Sequence, residues 1–381
     1  MSNLTETDRI FNDIRPYRDD EVEKILQKII NNEDFEKALL ILMGKYLSFY
    51  KEDERKNLFS LFIEKLNHVK TVNDFQKEVV KYMLEPMIKG SIDSLTSSGI
   101  ENLSKDEAYL YIGNHRDITL DPGLLNYALM SHGFETVEIA FGDNLLINEF
   151  VSHVIRINKS FIVKRNLPLI KQLDASIHLS KYIYCTITQK RSVWLAQREG
   201  RAKDGNDVTN PAVISMLYLS QRDGGLPLAD FIKRIHLVPV AVSYEYDPCD
   251  RLKALEISKF RNTGQQEKGG TDDLISMNQG IAGYKGRVHY TVNEPLVMDV
   301  TNDRDVAKAI DRAIQLSYRL WPTNYLAFDE LHNTKNYSSF YNDEDRNKFD
   351  ERFKRFSPEM KFIVLEGYAN PVKNHELQLG S

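Results

Sequence analysis

A histidine and an aspartate on one strand-to-helix turn are the residues of this sequence best placed for acid–base chemistry. His115 follows the apolar run at 108–113, and Asp121, with the proline after it, begins an amphipathic segment. An aspartate at the N-cap and a proline at the first helical position are typical of a helix start. A carboxylate that accepts one ring N–H leaves the other ring nitrogen free to take a proton, so this turn predicts a general-base pair. Asp117, on the same turn, is a second candidate for the orienting carboxylate.

Cationic side chains follow two other predicted strands, at the point where each strand ends. They are Lys164, Arg165, Arg198, Arg201 and Lys203. Because the carboxyl ends of parallel strands meet at one crevice, we expect these cations to lie near His115. Such a crevice suits a substrate with a phosphate, which the cations would hold, and a hydroxyl, which the histidine would deprotonate.

The elements that must position these residues are strands alternating with helices from residue 104 onward. Apolar runs lie at 108–113, 136–141, 160–163, 192–197 and 236–243, and helical stretches lie at 121–132, 144–156, 166–182 and 211–220. This alternation predicts an α/β domain with a mixed, mostly parallel sheet flanked by helices. The run at 236–243 is apolar without alternation, which indicates a strand buried on both faces. Pro239 within that run indicates an edge, a bulge or a special site.

The first hundred residues show helical periodicity throughout. Apolar residues recur at helical spacing in 22–30, 58–66 and 75–83, and the segment 35–50 is apolar nearly all round, as in a buried helix. We therefore predict an N-terminal helical bundle at 1–103, followed by an α/β domain with a helical C-terminal tail at 104–381. The polar, glycine-rich segment 260–272 indicates a flexible loop.

The overall composition restricts the possible partners. A net charge of −5 argues against nucleic acid, because a polyanion requires a basic surface. No apolar stretch reaches membrane-spanning length, no signal-peptide core is present, and the two cysteines form no metal or disulfide pattern. We therefore expect a cytoplasmic protein without a metal or other cofactor. A lipid substrate would then be met peripherally, on the inner face of the cell membrane.

Signatures of other enzyme classes are absent from the sequence. The triplet at 115–117 has the letters of a kinase catalytic loop, but no glycine-rich loop precedes it and no Asp-Phe-Gly follows it. The sequence contains neither the Gly-x-Ser-x-Gly of serine hydrolases nor a Walker loop. The chemistry therefore has to be sought at the His115 turn.

Four motifs in order resemble the glycerolipid acyltransferase family over residues 105–248. The family's His-x4-Asp motif is similar to His115 and Asp121, although five residues separate them here. The second, third and fourth blocks are similar to Gly142 with Lys164 and Arg165, to Glu199-Gly200-Arg201-Ala202-Lys203, and to Val238-Pro239-Val240. Within the family, the chain most resembles soluble plastid-type and bacterial glycerol-3-phosphate acyltransferases. The third block is one residue shorter than in the bacterial enzymes.

The resemblance implies transfer of a fatty acyl group from acyl-CoA or acyl carrier protein to the hydroxyl of glycerol-3-phosphate. It implies His115 as the base, and it favours Asp121 over Asp117 as the orienting carboxylate because an Asp-Pro pair stands there in the plastid pattern. Its phosphate-binding cations correspond to Lys164, Arg165, Arg201 and Lys203. Its supporting positions correspond to Arg116, Asp117, Gly142, Glu199, Gly200 and Pro239.

Three other functions agree with the same residues. A lysophosphatidate acyltransferase would use an acceptor that also carries a phosphate and a free hydroxyl. Acylation of an amino-acid lipid would not require the phosphate-binding cations. A non-catalytic phosphate- or lipid-binding protein would bind ligand and tolerate loss of His115. The N-terminal bundle could dock a carrier protein or a membrane, or it could be a structural cap.

Overall fold

A mixed sheet forms the centre of the chain, seen in a computed structural model that describes residues 5–35, 37, 52–165, 167–264 and 272–380. The strands of the described residues are β1 (Ile92–Ser98), β2 (Leu110–Gly113), β3 (Glu138–Gly142), β4 (Ser160–Val163), β5 (Val193–Ala196), β6 (Leu237–Tyr244) and β7 (Gly286–Val292). Their order across the sheet is β1-β7-β6-β2-β5-β3-β4. Among these pairs, only β6 and β7 run antiparallel. The predicted α/β fold with a mixed, mostly parallel sheet is confirmed.

Helices precede, connect and follow the strands. In the described residues they are α1 (Glu6–Ile10), α2 (Asp19–Ile30), α3 (Glu52–His68), α4 (Val72–Asp74), α5 (Lys81–Ser91), α6 (Leu120–Ser131), α7 (Glu149–Ile157), α8 (Leu169–Thr188), α9 (Pro211–Arg222), α10 (Leu228–Arg234), α11 (Asp250–Thr263), α12 (Asp272–Ala282), α13 (Asp303–Ser317), α14 (Pro322–His332), α15 (Asp343–Phe353) and α16 (Pro358–Leu379). A π-helical segment, Phe75–Val80, joins α4 to α5. Within the described part of the chain, every helix is too short or too polar to cross a bilayer.

Different helices cover the two faces of the sheet, because successive residues of a strand point to opposite faces. Leu110 and Ile112 of β2 belong to a core shared with α8, α9, α10 and α13. Tyr109 and Tyr111 belong to the core on the other face, shared with α5 and α6. The central strand β6 is buried along its whole length, as its unbroken apolar sequence predicts.

Pro239 does not mark an edge strand, because β6 lies between β7 and β2. The antiparallel pairing of β6 with β7 ends at Val240 and Val292. One residue beyond, the Pro239 carbonyl accepts from both the backbone N–H and the side-chain amide of Asn293, each at 3.0 Å. Proline has no N–H to return the second hydrogen bond to Asn293, so the ladder between β6 and β7 ends at this position.

The periodicity predicted that the first hundred residues are entirely helical, and the structure corrects this prediction. Residues 92–98 form β1, which pairs in parallel with β7 at one edge of the sheet. The helices before it share an apolar cluster with α7, in which Val22, Phe62 and Phe150 are buried. The predicted division into domains at residue 103 stays a prediction, and the segment 35–50 lies almost entirely outside the described residues.

The prediction of a loop at 260–272 is wrong for the first residues of that segment. Residues 260–263 complete the last turn of α11, and Gly264 ends that helix with a φ of 66°, which glycine adopts without strain. Residues 265–271 lie outside the described residues, and α12 begins at Asp272. The sequence between β6 and β7 therefore carries two helices.

Candidate active site

The turn between β2 and α6 brings His115 and Asp121 into contact. His115 Nδ1 lies 2.9 Å from Asp121 Oδ2, and the same oxygen accepts the backbone N–H groups of Arg116 at 2.6 Å and Asp117 at 2.9 Å. A carboxylate in this position fixes Nδ1 as the protonated ring nitrogen. For Nε2, no hydrogen-bond partner is found in the residues that the structure describes, and the side chain is 13 % exposed. The ring is therefore oriented to accept a proton at Nε2.

Asp121 is not the N-cap that the sequence predicts. Helix α6 begins at Leu120, so Asp121 lies in its first turn and directs its carboxylate back to the residues before the helix. Asp117 supplies the hydrogen bonds at the helix start, because its Oδ1 accepts the N–H groups of Thr119 at 2.9 Å and Leu120 at 2.8 Å. Of the two candidate carboxylates, Asp121 contacts the imidazole and Asp117 shapes the turn.

Asp117 is nevertheless electrostatically linked to the pair. Its side chain is buried, and burial raises the pKa of its carboxyl above the usual range, with the nearby Asp121 carboxylate adding to the rise. Gly280 of α12 packs against it so closely that an added Cβ would lie 1.9 Å from Asp117 Oδ2. Helix α12 therefore covers the His115 turn directly.

Two residues outside the turn complete the surroundings of the pair. Tyr244, at the end of β6, donates its hydroxyl to Asp121 Oδ1 at 3.0 Å. The Trp194 ring of β5 meets the His115 ring edge to face, with centroids 5.9 Å apart. Gly113 leaves room for that indole, since an added Cβ there would lie 3.1 Å from Trp194 Nε1. Both Asp121 oxygens thus have partners, and one wall of the histidine is aromatic.

The predicted cations Arg201 and Lys203 lie beside this turn. The residue between them, Ala202, donates its N–H to the His115 carbonyl at 2.8 Å, which fixes their loop against the histidine. Both cations pair with Glu256 of α11, Arg201 at 3.4 Å and Lys203 at 2.6 Å. Arg201 also donates to Ser276 Oγ of α12 at 3.1 Å. Its Nη1 is buried and has no hydrogen-bond partner in the described part of the chain.

An arginine in this state can bind an anion. Arg201 is only 8 % exposed, and a buried guanidinium nitrogen without a partner loses hydration without compensation. A phosphate oxygen would supply the missing acceptor with a charge-assisted hydrogen bond. The preceding Gly200 allows this loop its shape, because its φ of 73° lies in the left-handed region.

Comparison with known proteins finds a sequence-family match for this region. The sequence model of the family described as Acyltransferase matches residues 94–243, from β1 to the end of β6. This part of the chain is similar in sequence to the acyltransferase family. The chain is also similar to the crystal structure of the 1-acyl-sn-glycerophosphate (LPA) acyltransferase PlsC from Thermotoga maritima, with 13 % identity, a TM-score of 0.38, and coverage of 78 % of this chain and 94 % of that one. No curated protein matches the chain.

The two cations of the other predicted pair, Lys164 and Arg165, contact different parts of the molecule. Arg165 lies over Gly142, where an added Cβ would be 3.0 Å from its Nε, and its Nη1 lies 3.4 Å from Glu199 Oε1. Arg165 is therefore linked to the loop that carries Arg201. Lys164 instead donates to Asp13 at 2.5 Å, and Asp13 also contacts His178. Within the described residues, the side-chain contacts of Lys164 thus lead toward the N-terminal segment and not toward His115.

Arg116 supports the His115 turn from within. Its guanidinium donates to Asp207 at 2.5 Å, and Asp207 also accepts from the side-chain amide of Asn114 at 3.1 Å. The Arg116 carbonyl accepts from the buried Lys253 ammonium at 2.7 Å. Arg116 is 8 % exposed, so these contacts hold the backbone on both sides of His115 and leave the guanidinium little access to a substrate.

Several of these partners were not predicted from the sequence. Tyr244 could have been found, because it directly follows the strand predicted at 236–243, at the same edge as the other site residues. Trp194 lies inside a predicted strand, and its position gave no such signal. Glu256, Ser276 and Asp207 lie in segments without a motif, and only the folded chain brings them to the site. In the described residues, no group of His, Cys, Asp or Glu side chains could hold a metal ion.

Proposed function

We propose that this protein transfers a fatty acyl group from acyl-CoA or acyl carrier protein to the hydroxyl of glycerol-3-phosphate, in phospholipid synthesis. The observation that carries the proposal is the juxtaposition of an Asp121-oriented His115 with Arg201, whose buried Nη1 has no partner among the described residues. A base with a free Nε2 can deprotonate the acceptor hydroxyl, and a buried guanidinium can bind the acceptor phosphate. The match of residues 94–243 to the acyltransferase family model supports transfer of an acyl group.

The proposed reaction is direct transfer. His115 Nε2 removes the proton from the acceptor hydroxyl while that oxygen attacks the thioester carbonyl carbon. The carbon–sulfur bond then breaks, and the leaving thiolate takes the proton back from the imidazolium. Asp121 stabilises the imidazolium, and general-base action of this kind contributes about 10²–10⁴-fold to the rate.

The cysteines are unsuited to an alternative, covalent route. Burial raises the pKa of Cys249 to about 12 and also raises the pKa of Cys185, so neither thiol supplies much thiolate at neutral pH. An acyl-cysteine intermediate is therefore not part of the proposal.

When the acceptor binds, its phosphate would replace Glu256 as the partner of Arg201 and Lys203. A phosphate carries more negative charge than the single Glu256 carboxylate, and it offers more acceptor oxygens to two cations and Ser276. Holding the phosphate there would place the acceptor hydroxyl against His115, so much of the acceleration would come from positioning. Arg165 is a candidate for a further phosphate contact through the same loop.

The test is a free-thiol release assay on the purified protein. Each donor, a long-chain acyl-CoA and an acyl carrier protein thioester, is supplied with either glycerol-3-phosphate or lysophosphatidate. His115→Ala is run beside His132→Ala, which removes a histidine whose ring bonds to the Ala128 carbonyl one helical turn before it. We expect release that requires glycerol-3-phosphate, is lost by at least about 10²-fold in His115→Ala, and persists in His132→Ala.

Other outcomes select the other functions. Release with lysophosphatidate alone would replace the acceptor and keep the mechanism. Binding of the phosphate compounds without release, unchanged in His115→Ala, would make this a non-catalytic binding protein. Release with acceptors that lack phosphate would contradict the role given to Arg201 and Lys203.

A further inference from the structure

The start of α8 exposes apolar side chains to an unusual degree. Leu169 and Ile170 are each 85 % exposed and Leu173 is 59 % exposed, whereas Leu179, Ile183 and Ile187 of the same helix are buried in the core. At 100° per residue, the three exposed side chains fall within an arc of about 100° on the helix. Single exposed leucines are ordinary, but two in succession with a third one turn later form a continuous apolar surface. We call these three residues the apolar rim.

The apolar rim lies at the same edge of the sheet as His115. Helix α8 follows the carboxyl end of β4, as the His115 turn follows the carboxyl end of β2, and these strands point the same way in the sheet. The connection after the neighbouring strand β3 contacts the connection after β4, because Arg165 N donates to Asp143 Oδ1 at 3.2 Å. That β3 connection exposes a further apolar residue, Ile147, which is 54 % exposed.

The charge around the apolar rim differs from that of the whole chain. Between residues 164 and 174, the sequence has three cations, Lys164, Arg165 and Lys171, and one acid, Asp174, whereas the full chain carries a net charge of −5. Lys171 is exposed on the rim's own helical turn. Lys164 and Arg165 are more than a third exposed, and they pair with Asp13 and Glu199, so Lys171 is the cation best placed to meet an anionic headgroup. Apolar side chains flanked by cations fit the boundary between the headgroups and acyl chains of an anionic bilayer.

We propose that the apolar rim inserts into the surface of an anionic lipid bilayer and places the open edge of the sheet against it. This inference rests on the proposed function, since an enzyme that makes an acylated phospholipid precursor has an apolar product to deliver. A rim at the His115 edge would let that product enter the bilayer without crossing water. The occupant we assign is therefore a lipid surface and not a second protein.

The test is co-sedimentation with vesicles. The full chain is mixed with vesicles of phosphatidylcholine alone or with about one third phosphatidylglycerol, a fraction chosen to give a clear negative surface potential. We expect binding to the anionic vesicles, and roughly a tenfold or greater loss of partitioning in the triple variant Leu169→Ser, Ile170→Ser, Leu173→Ser. Lys171→Gln should weaken binding to anionic vesicles and leave binding to neutral ones unchanged.

A matched pair of single variants separates the rim from general surface hydrophobicity. Ile170→Ser is compared with Val297→Ser, because Val297 is 80 % exposed. Val297 follows Leu296, whose N–H bonds to the first residue of β6, so it lies at the opposite edge of the sheet. We expect a loss of partitioning in Ile170→Ser alone.

The controls also distinguish this inference from the proposed function. Thiol release with a short-chain, water-soluble acyl-CoA should be unchanged in the triple variant, because its active site is intact. Equal vesicle binding by the wild type and the triple variant would overturn the proposal, as would no binding by the wild type. A self-associated wild type that becomes monomeric in the triple variant would also overturn it, by making the rim a contact between copies. Because vesicle binding needs no turnover, the vesicle-binding result can be interpreted even if the thiol-release assay shows no activity.

Discussion

The buried carboxyl of Asp117 forms hydrogen bonds that support the fold, while burial of its charged form destabilises the fold. Its Oδ1 caps the start of α6, but burial and the neighbouring Asp121 raise the pKa of Asp117. A folded-state pKa above the unfolded value means that the folded protein binds the proton more tightly. Stability from this group is therefore present at low pH and is lost as the pH rises through the folded-state pKa.

Asp117→Asn should stabilise the protein at neutral and higher pH. The amide oxygen can still accept the N–H groups of Thr119 and Leu120, and the cost of burying a charge disappears. We expect the free energy of unfolding to rise by about 1.4 kcal/mol for each unit by which the pKa of Asp117 is raised. Chemical denaturation at pH 8 and at pH 4 checks this, because the advantage of the variant should shrink at the lower pH. A larger advantage at pH 4 would contradict the argument.

Glu256 should compete with the acceptor phosphate for Arg201 and Lys203. Glu256→Gln removes the competing charge, so we expect the acceptor KM to fall severalfold with little change in kcat. Arg201→Gln should act in the opposite direction, raising the acceptor KM by about tenfold or more because a charge-assisted phosphate contact is lost. Steady-state kinetics at varied acceptor concentration measures both. An acceptor KM that rises in Glu256→Gln would make Glu256 a residue that supports binding.

At the scale of elements, helix α12 depends on a glycine for its approach to the His115 turn. An added Cβ at Gly280 would lie 1.9 Å from Asp117 Oδ2 and 2.8 Å from its Cγ, and Asp117 is fixed by its own hydrogen bonds. Gly280→Ala should therefore displace α12 and lower both stability and activity. Thermal unfolding and the thiol-release assay measure these effects.

Gly123 of α6 offers the matched control for that prediction. An added Cβ there would meet only the Leu84 side chain, at 4.0 Å, and Gly123 lies inside a helix. Gly123→Ala should therefore stabilise the protein by about 0.5–1 kcal/mol, since alanine loses less conformational freedom in a helix. Equal losses in both variants would show that any added methyl group is harmful in this region.

The elements that the sequence predicted are those with a local signal. The runs that became β2 to β6 are apolar and bounded by turns, and a buried strand requires both features. Strand β1 was missed because it is an edge strand in which only Ile92 is buried, so its sequence looks like a polar segment. Its hydrogen-bonding partner, β7, lies almost two hundred residues further along the chain.

At the scale of the whole molecule, the sequence predicted the residues that lie at strand ends and missed the residues that meet them from a distance. The contact of His115 with Asp121 spans six positions and could be inferred from one turn. The contacts of Arg201 with Glu256 and Ser276 span 55 and 75 positions. Nothing local requires a glutamate at 256, so its place beside the cations depends on how α11 and α12 fold back over the sheet.

The segment between β6 and β7 joins two antiparallel neighbours, and such neighbours need only a short turn. Tyr246 N donates to the Lys285 carbonyl at 3.0 Å, so the two ends of this segment already meet. Everything between them, including Glu256, Ser276 and Gly280, is an insertion that begins just beyond the region matched by the acyltransferase family. A change in this segment can therefore leave the pairing of the sheet unaltered while it changes what contacts Arg201 and the His115 turn. For protein engineering, this segment is the place to change the surroundings of Arg201, and under the proposed function such a change would alter which acceptor is bound.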